Sequence, residues 1–100
     1  MQPFTALSDP TRQRIVEILT GGPLSAGEIV DQFDLSPQGI SQHLKKLREA
    51  RLVRVRPKAQ QRIYELDPEG VAELSDWIDR IRSFWSKKLD ALEQQLEQED

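Results

Sequence analysis

The chain has 100 residues, 37% of them hydrophobic, with no cysteine, one histidine and a formal net charge of −3. That length fits one small domain with an adequate but thin core. The absence of thiols excludes disulfides, thiolate metal sites and thiol redox sensing, and no apolar run nears the roughly 20 residues that span a bilayer, so a soluble cytoplasmic protein is expected. The net charge conceals a segregation: residues 36–66 hold eight bases against two acids, and residues 67–100 hold ten acids against four bases. A basic middle inside an acidic chain is a signal for a nucleic-acid face.

Helix starts are marked clearly along the chain. Asp9-Pro10 reads as an N-cap followed by proline at the first helical position, where its missing N–H costs nothing. The apolar set Ile15, Val16, Ile18 and Leu19 follows until Gly21-Gly22-Pro23 stops it. Ser25-Ala26-Gly27-Glu28 is a capping box that opens a short helix through Ile29, Val30 and Phe33. Ser36-Pro37 repeats the cap-plus-proline device after a tight turn around Asp34-Leu35, which predicts a helix-turn-helix.

In the second of these helices Ile40, Leu44 and Leu47 form one stripe, while Gln38, Ser41, Gln42, Lys45 and Glu49 fall on the other side. Apart from Glu49, that side is built from amides, a hydroxyl and a lysine, groups that can donate to base edges or phosphates. A merely solvated face would more often mix acids and bases. His43 lies at the border of the stripe and reads as a packed, hydrogen-bonded residue.

After Arg51 the period changes from 3.6 to 2. Val53 and Val55, then Ile63, alternate with Arg54, Arg56 and Arg62, and the intervening "PKAQQ" breaks the run, predicting a two-stranded hairpin with a basic tip. Ile63, Tyr64, Glu65 and Leu66 put apolar groups on both faces of the second strand, one of which packs on the helices. Asp67-Pro68 then caps a final helix running to about Glu97, roughly 45 Å at 1.5 Å per residue. Along it Val71, Leu74, Ile78, Ile81, Trp85, Leu89, Leu92 and Leu96 recur at spacings of three and four, widened by Trp77 and Phe84. A small body cannot cover all of this stripe, and the surplus from Trp85 onward argues for a twofold partner helix.

Helix, helix-turn-helix, basic hairpin and helix in that order describe a mostly α fold with a small β-hairpin wing, a winged helix. The wording "ALSDPTRQRIVEIL", then "LSAGEIVDQFDLSPQGISQHLKKLREARLVRVR" and "RIYEL", resembles the ArsR family of bacterial winged helix-turn-helix repressors from about Phe4 to Leu66. "WIDRIRSFWSKKLDALEQQL" resembles the long C-terminal helix with which members dimerise, particularly in the metal-free SdpR-like branch. The resemblance implies a DNA-binding region over residues 1–66 and a C-terminal dimerisation helix over 67–100, together one compact domain. Two positions depart from the family pattern. Arg51 stands where glycine commonly makes a left-handed turn, at a cost of about 1 kcal/mol if that conformation is kept. Gly39 stands where alanine-like residues are usual, weakening the helix but permitting close backbone approach to DNA.

A helix in the major groove reads bases near its N-terminus, and glutamine can bond adenine in bidentate fashion. Ser36, Gln38, Gly39, Ser41, Gln42, Lys45 and Lys46 are therefore assigned to DNA, with Gln38, Ser41 and Gln42 reading bases and the lysines nearer phosphates. Ser36 is first a cap, to which a phosphate contact at the helix N-terminus would be an addition. Arg54, Arg56, Lys58, Gln60 and Arg62 make the wing a phosphate or minor-groove contact, although charge on an edge hairpin also guards against aggregation. The dimer interface is expected to use Phe4, Leu7, Ile78, Ile81, Trp85, Leu89, Leu92 and Leu96.

One histidine without cysteine cannot reproduce thiolate or multi-histidine metal sites, and Asp76, Asp79, Asp90 and Glu93 read as a solvated face. Neither a phosphate-cradling glycine loop nor a nucleophile–base set is present, so no enzyme and no cofactor are expected. The expected partners are double-stranded DNA and a second copy of the chain, with room for an unidentified protein or small-molecule effector. A different class of reading keeps the same fold as a protein–protein interaction module with a coiled-coil-like tail. Salt-dependent, sequence-selective duplex binding separates the two.

Overall fold

The structure is a computed structural model that describes residues 2–98; the charges of Glu99 and Asp100 lie outside the described residues. Its elements in chain order are α1 (Gln2–Ala6), α2 (Pro10–Leu19), β1 (Leu24–Ser25), α3 (Ala26–Val30), α4 (Pro37–Glu49), β2 (Val53–Lys58), β3 (Gln61–Leu66) and α5 (Pro68–Gln98). The cap signals act as the sequence predicts. The amides of Thr11 and Arg12 donate to Asp9 Oδ1 at 2.8 and 3.1 Å. Ser25 and Glu28 exchange backbone-to-side-chain bonds at 3.0 and 3.2 Å, and Ser36 Oγ accepts from the Gly39 amide at 3.0 Å. Each bond satisfies an N–H that the helix itself leaves unpaired.

Four features differ from the expectations. A short α1 precedes α2, and α3 ends at Val30, with Phe33 held in the turn that follows by its amide bond to Val30 O. The hairpin does not stand alone: β1 pairs antiparallel with β3, giving a three-stranded sheet in the order β1-β3-β2. The hairpin break is also smaller than "PKAQQ" suggested. Pro57 and Lys58 continue β2 opposite Arg62 and Gln61, leaving only Ala59 and Gln60 in the turn. Proline is tolerated there because β2 is an edge strand and needs no outward N–H partner.

One core ties these elements together. Ile15, Ile29, Ile40, Leu44 and Leu47 from three helices, with Leu52, Val53 and Tyr64 from the sheet side, are all buried. At roughly 1.5–3 kcal/mol per buried aliphatic side chain, this cluster dominates the stability of the body. The remainder of the chain is a lever: the principal extents of 68 × 27 × 23 Å reflect a 31-residue α5 that outruns the body.

The junction of body and lever is built on Arg51. α4 ends in a Schellman motif, in which the Arg51 amide donates to Arg48 O and the Leu52 amide to Leu47 O, both at 3.0 Å. Arg51 takes the left-handed conformation at φ 62°, so the strained turn foreseen from the sequence is kept without glycine. Its guanidinium reaches Glu69 and Glu73 at 3.4 and 3.2 Å, and its carbonyl lies so close to Gly70 that a Cβ there would fall 1.6 Å from the oxygen. The Asp67 amide donates to Leu52 O at 2.9 Å, completing the seat on which α5 starts.

Candidate nucleic-acid interface

The buried stripe of α4 leaves Gln38, Ser41, Gln42, Lys45, Lys46 and Arg48 exposed on the opposite side. Period-2 alternation divides the hairpin into two faces. Val53, Val55, Arg62, Tyr64 and Leu66 share one, whereas Arg54, Arg56, Lys58, Ile63 and Glu65 share the other. Arg62 therefore parts company with the two arginines it was grouped with. It stands beside Tyr64 on the face turned to α4, and an open groove of ≈ 520 Å³ runs there with Ser41, Gln42, Lys45, Arg48 and Glu49 on the helix wall and Arg62 and Asp67 opposite, which the Arg54 side chain also lines although its strand position belongs to the other face.

Pairing sorts the basic side chains more finely than sequence can. Arg54 Nε and Arg56 Nε both donate to Glu65 Oε1, at 3.0 and 3.3 Å, so one carboxylate is shared by two guanidinium groups. Lys45, Lys46, Arg48, Lys58 and Arg62 make no ion pair among the described residues. The uncompensated positive charge thus lies on α4 and on Lys58 and Arg62 of the wing, and less on Arg54 and Arg56. Gln60 sits in the two-residue turn, preceded by Ala59 at φ 55°. Arg48, which lines this groove, was not among the residues assigned to DNA from the sequence. Its i, i+3 relation to Lys45 on the exposed side of the helix was the available signal.

Gly39 also has a local reason. A Cβ there would approach the Ser36 capping oxygen to 3.3 Å, tight enough to disturb the cap. His43 is half-buried and packed as expected. Arg12 Nη1 lies 3.3 Å from His43 Nδ1, the same ring nitrogen that stands 3.9 Å from Asp9 Oδ1. Arg12 also donates to the Ala6 and Thr5 carbonyls at 2.5 and 3.4 Å, so a single side chain joins α1 and α2 to α4. The Arg12 amide bond, with weaker help from His43 and the Thr11 amide, holds the Asp9 carboxyl below its ordinary range despite some desolvation. The Ser25 amide does the same for Glu28.

The residues expected at a dimer interface divide in two. Leu7 is half-buried against the body's own core, whereas Phe4, edge-on to Trp77 with ring centroids 4.7 Å apart, stays exposed. Ile78, Ile81, Phe84, Trp85, Leu89, Leu92 and Leu96 remain exposed. No three His, Cys, Asp or Glu side chains come together as a metal ligand set among the described residues, and no helix among them is long and apolar enough to cross a membrane.

A capped recognition helix facing a basic wing across an open groove defines a winged helix-turn-helix DNA-binding protein. Comparison with known proteins agrees: a family profile described as "Helix-turn-helix domain" matches residues 7–56. The chain is 45% identical over 96 residues to the HTH-type transcriptional regulator Rv2034 of Mycobacterium tuberculosis, covering 96% of this chain and 87% of that one. It is 36% identical over 75 residues to the transcriptional repressor SdpR of Bacillus subtilis, covering 75% and 83%. A crystal structure titled as a possible transcriptional regulator for arsenical resistance superposes with a TM-score of 0.74 at 39% identity, over 92% of this chain and 93% of that one. The chain belongs to the ArsR family of winged helix-turn-helix transcriptional regulators, and it is a transcriptional regulator rather than an enzyme.

Proposed function

We propose that the chain is a homodimeric repressor of the metal-independent, SdpR-like kind, which occludes a promoter by binding an inverted-repeat operator. The observation that carries this reading is the groove between α4 and the wing, with hydrogen-bonding groups on one wall and uncompensated cations on both. In it Ser41 and Gln42 read base edges and Lys45 and Arg48 anchor phosphates; outside it, Gln38 reads a further base near the start of α4, Ser36 and Gly39 let the helix N-terminus approach the backbone, and Lys46, on the flank toward α1, holds an adjoining phosphate. Lys58, Gln60 and Arg62, with Arg54 and Arg56 where Glu65 releases them, hold the flanking duplex. The uncovered apolar residues of α5 supply the second half-site by pairing two copies.

The test is binding to DNA fragments selected from a genomic pool, repeated across salt. The reading requires affinity that falls linearly in log–log form, with a slope of about −0.9 per phosphate contacted, and a preference for selected over random duplex. Binding without sequence preference, or none, would instead favour a protein-interaction module.

A further inference from the structure

We propose that Glu65 sets the selectivity of the wing, by withholding Arg54 and Arg56 from duplex of arbitrary sequence until α4 is seated on its operator. The inference rests on the DNA reading above and goes beyond it by giving a specificity-determining role to an acid that itself touches neither base nor phosphate. Residues 36–66 carry eight bases and only two acids, Glu49 and Glu65. Glu49 makes no ion pair among the described residues, whereas Glu65 makes two. Strand register puts Glu65 directly opposite Arg54 and diagonal to Arg56, on the hairpin face that all three share. Its Oε1 accepts from Arg54 Nε at 3.0 Å and from Arg56 Nε at 3.3 Å. The Glu65 side chain is 18% exposed against 54% and 49% for the arginines, so the carboxylate is more sheltered from solvent and salt than either guanidinium it holds.

The pairing takes the N–H groups that a phosphate needs. A guanidinium grips a phosphate best through two parallel N–H bonds, and the side-on fork uses Nε. With both Nε groups given to Glu65, that fork closes on a phosphate only when the carboxylate gives way. Net charge points the same way: Arg54, Arg56 and Glu65 together carry one positive charge where two lone arginines carry two. Lys58, on the same face and beside the turn, makes no ion pair among the described residues. This face of the hairpin thus offers a free cation at its tip and two held ones nearer the body.

Selectivity follows because the two kinds of complex draw on the wing differently. Binding to arbitrary sequence is almost entirely phosphate contact, so every cation left unheld strengthens it. Arg54 also lines the groove between α4 and the wing, so a duplex seated on α4 is brought against its guanidinium and competes there with Glu65. Matched bases keep the duplex in that position, whereas a loosely held random duplex leaves the arginines on Glu65. Discrimination between partners can come from weakening the wrong one, and that is the part assigned to Glu65.

The test measures binding of the full chain to a selected genomic duplex and to a random one across salt, for wild type, Glu65→Gln and Arg54→Ala/Arg56→Ala. Glu65→Gln keeps the shape of the side chain and removes its charge. It should tighten binding to random duplex more than to selected duplex, and steepen the random salt slope by up to about 1.8, two phosphates at about 0.9 each. Arg54→Ala/Arg56→Ala should weaken the selected complex more than the random one. Both variants lower the ratio of the two affinities from opposite ends, and the arginine pair keeps the test decisive should the glutamine variant fold poorly. Equal gains on both duplexes for Glu65→Gln, a loss on random duplex at wild-type circular dichroism, or a larger loss on random than on selected duplex for the arginine pair overturns the role of Glu65 and leaves the DNA reading standing. A wild type with no preference for the selected duplex overturns both.

Discussion

The winged body and the distal half of α5 have nearly the same density of large apolar residues and opposite fates for them. In the body Ile15, Ile29 and Leu47 are fully inaccessible, whereas beyond Trp77 every described residue of α5 is exposed. The body is self-sufficient, with its caps satisfied and no buried side-chain polar atom left unpaired among the described residues. The distal helix has good propensity and nothing to pack on. An apolar stripe acquires meaning from what covers it: in α4 it makes a core that aims a polar face outward, and beyond Trp77 in α5 it is left exposed.

The hardest break of that contrast is Leu89→Glu with Leu92→Glu, which places four like charges across a twofold interface and removes apolar burial. Sedimentation should show monomer and operator affinity should fall roughly 10²- to 10⁴-fold, the advantage of linked half-sites. Circular dichroism of the body should persist. A double variant that stays dimeric and binds normally would reassign the stripe.

Next in size is Gly70→Ala, aimed at the seam between the two regions. Its Cβ would collide with the Arg51 carbonyl, so helix or turn must move. Destabilisation of about 1–3 kcal/mol or more in urea unfolding is expected. An unchanged midpoint would mean that α5 is not seated as described.

Within the body, Gln42→Ala should cost about 1–3 kcal/mol at particular base pairs only. Lys45→Ala should weaken all sequences alike and flatten the salt slope by about one unit. Arg62→Ala should flatten it more than Arg56→Ala, because Arg56 already shares Glu65. Equal loss on operator and random DNA for Gln42→Ala would remove it from base readout.

The smallest effect expected is on acid stability. The Asp9 and Glu28 carboxyls are held below their ordinary values by backbone amides. Depressed folded values mean that the stability they lend is complete above the ordinary carboxyl range, about pH 4, and is lost as pH falls through the lower folded values. Asp9→Asn with Glu28→Gln should flatten the acid limb of a plot of unfolding midpoint against pH.

Most of the body was legible because its signals are local. Asp9-Pro10, the Ser25–Glu28 box and Ser36-Pro37 place helix starts by hydrogen bonds within three residues, and the Ile40, Leu44, Leu47 stripe follows from helical period alone. The parts not legible depend on distant partners. β1 exists because two residues meet β3 some forty positions later. The pairing of Arg54 and Arg56 with Glu65, and the turn of Arg62 toward α4, follow from strand register, which composition does not encode. Gly70 carries no signal at all until the Arg51 carbonyl is beside it. Arg12 reads as ordinary helix punctuation, and its link from α1 to His43 appears only when α4 is packed against both.

The central claim is that two such bodies, held at a fixed distance by α5, read two inverted half-sites through α4 and the wing. A protection footprint of the wild-type protein on a selected genomic fragment tests this most directly. The account predicts two protected major-groove segments related by a dyad, with centres about 34–36 Å apart, one turn of the duplex. A single protected segment, or protection spread without preference along the fragment, would contradict it.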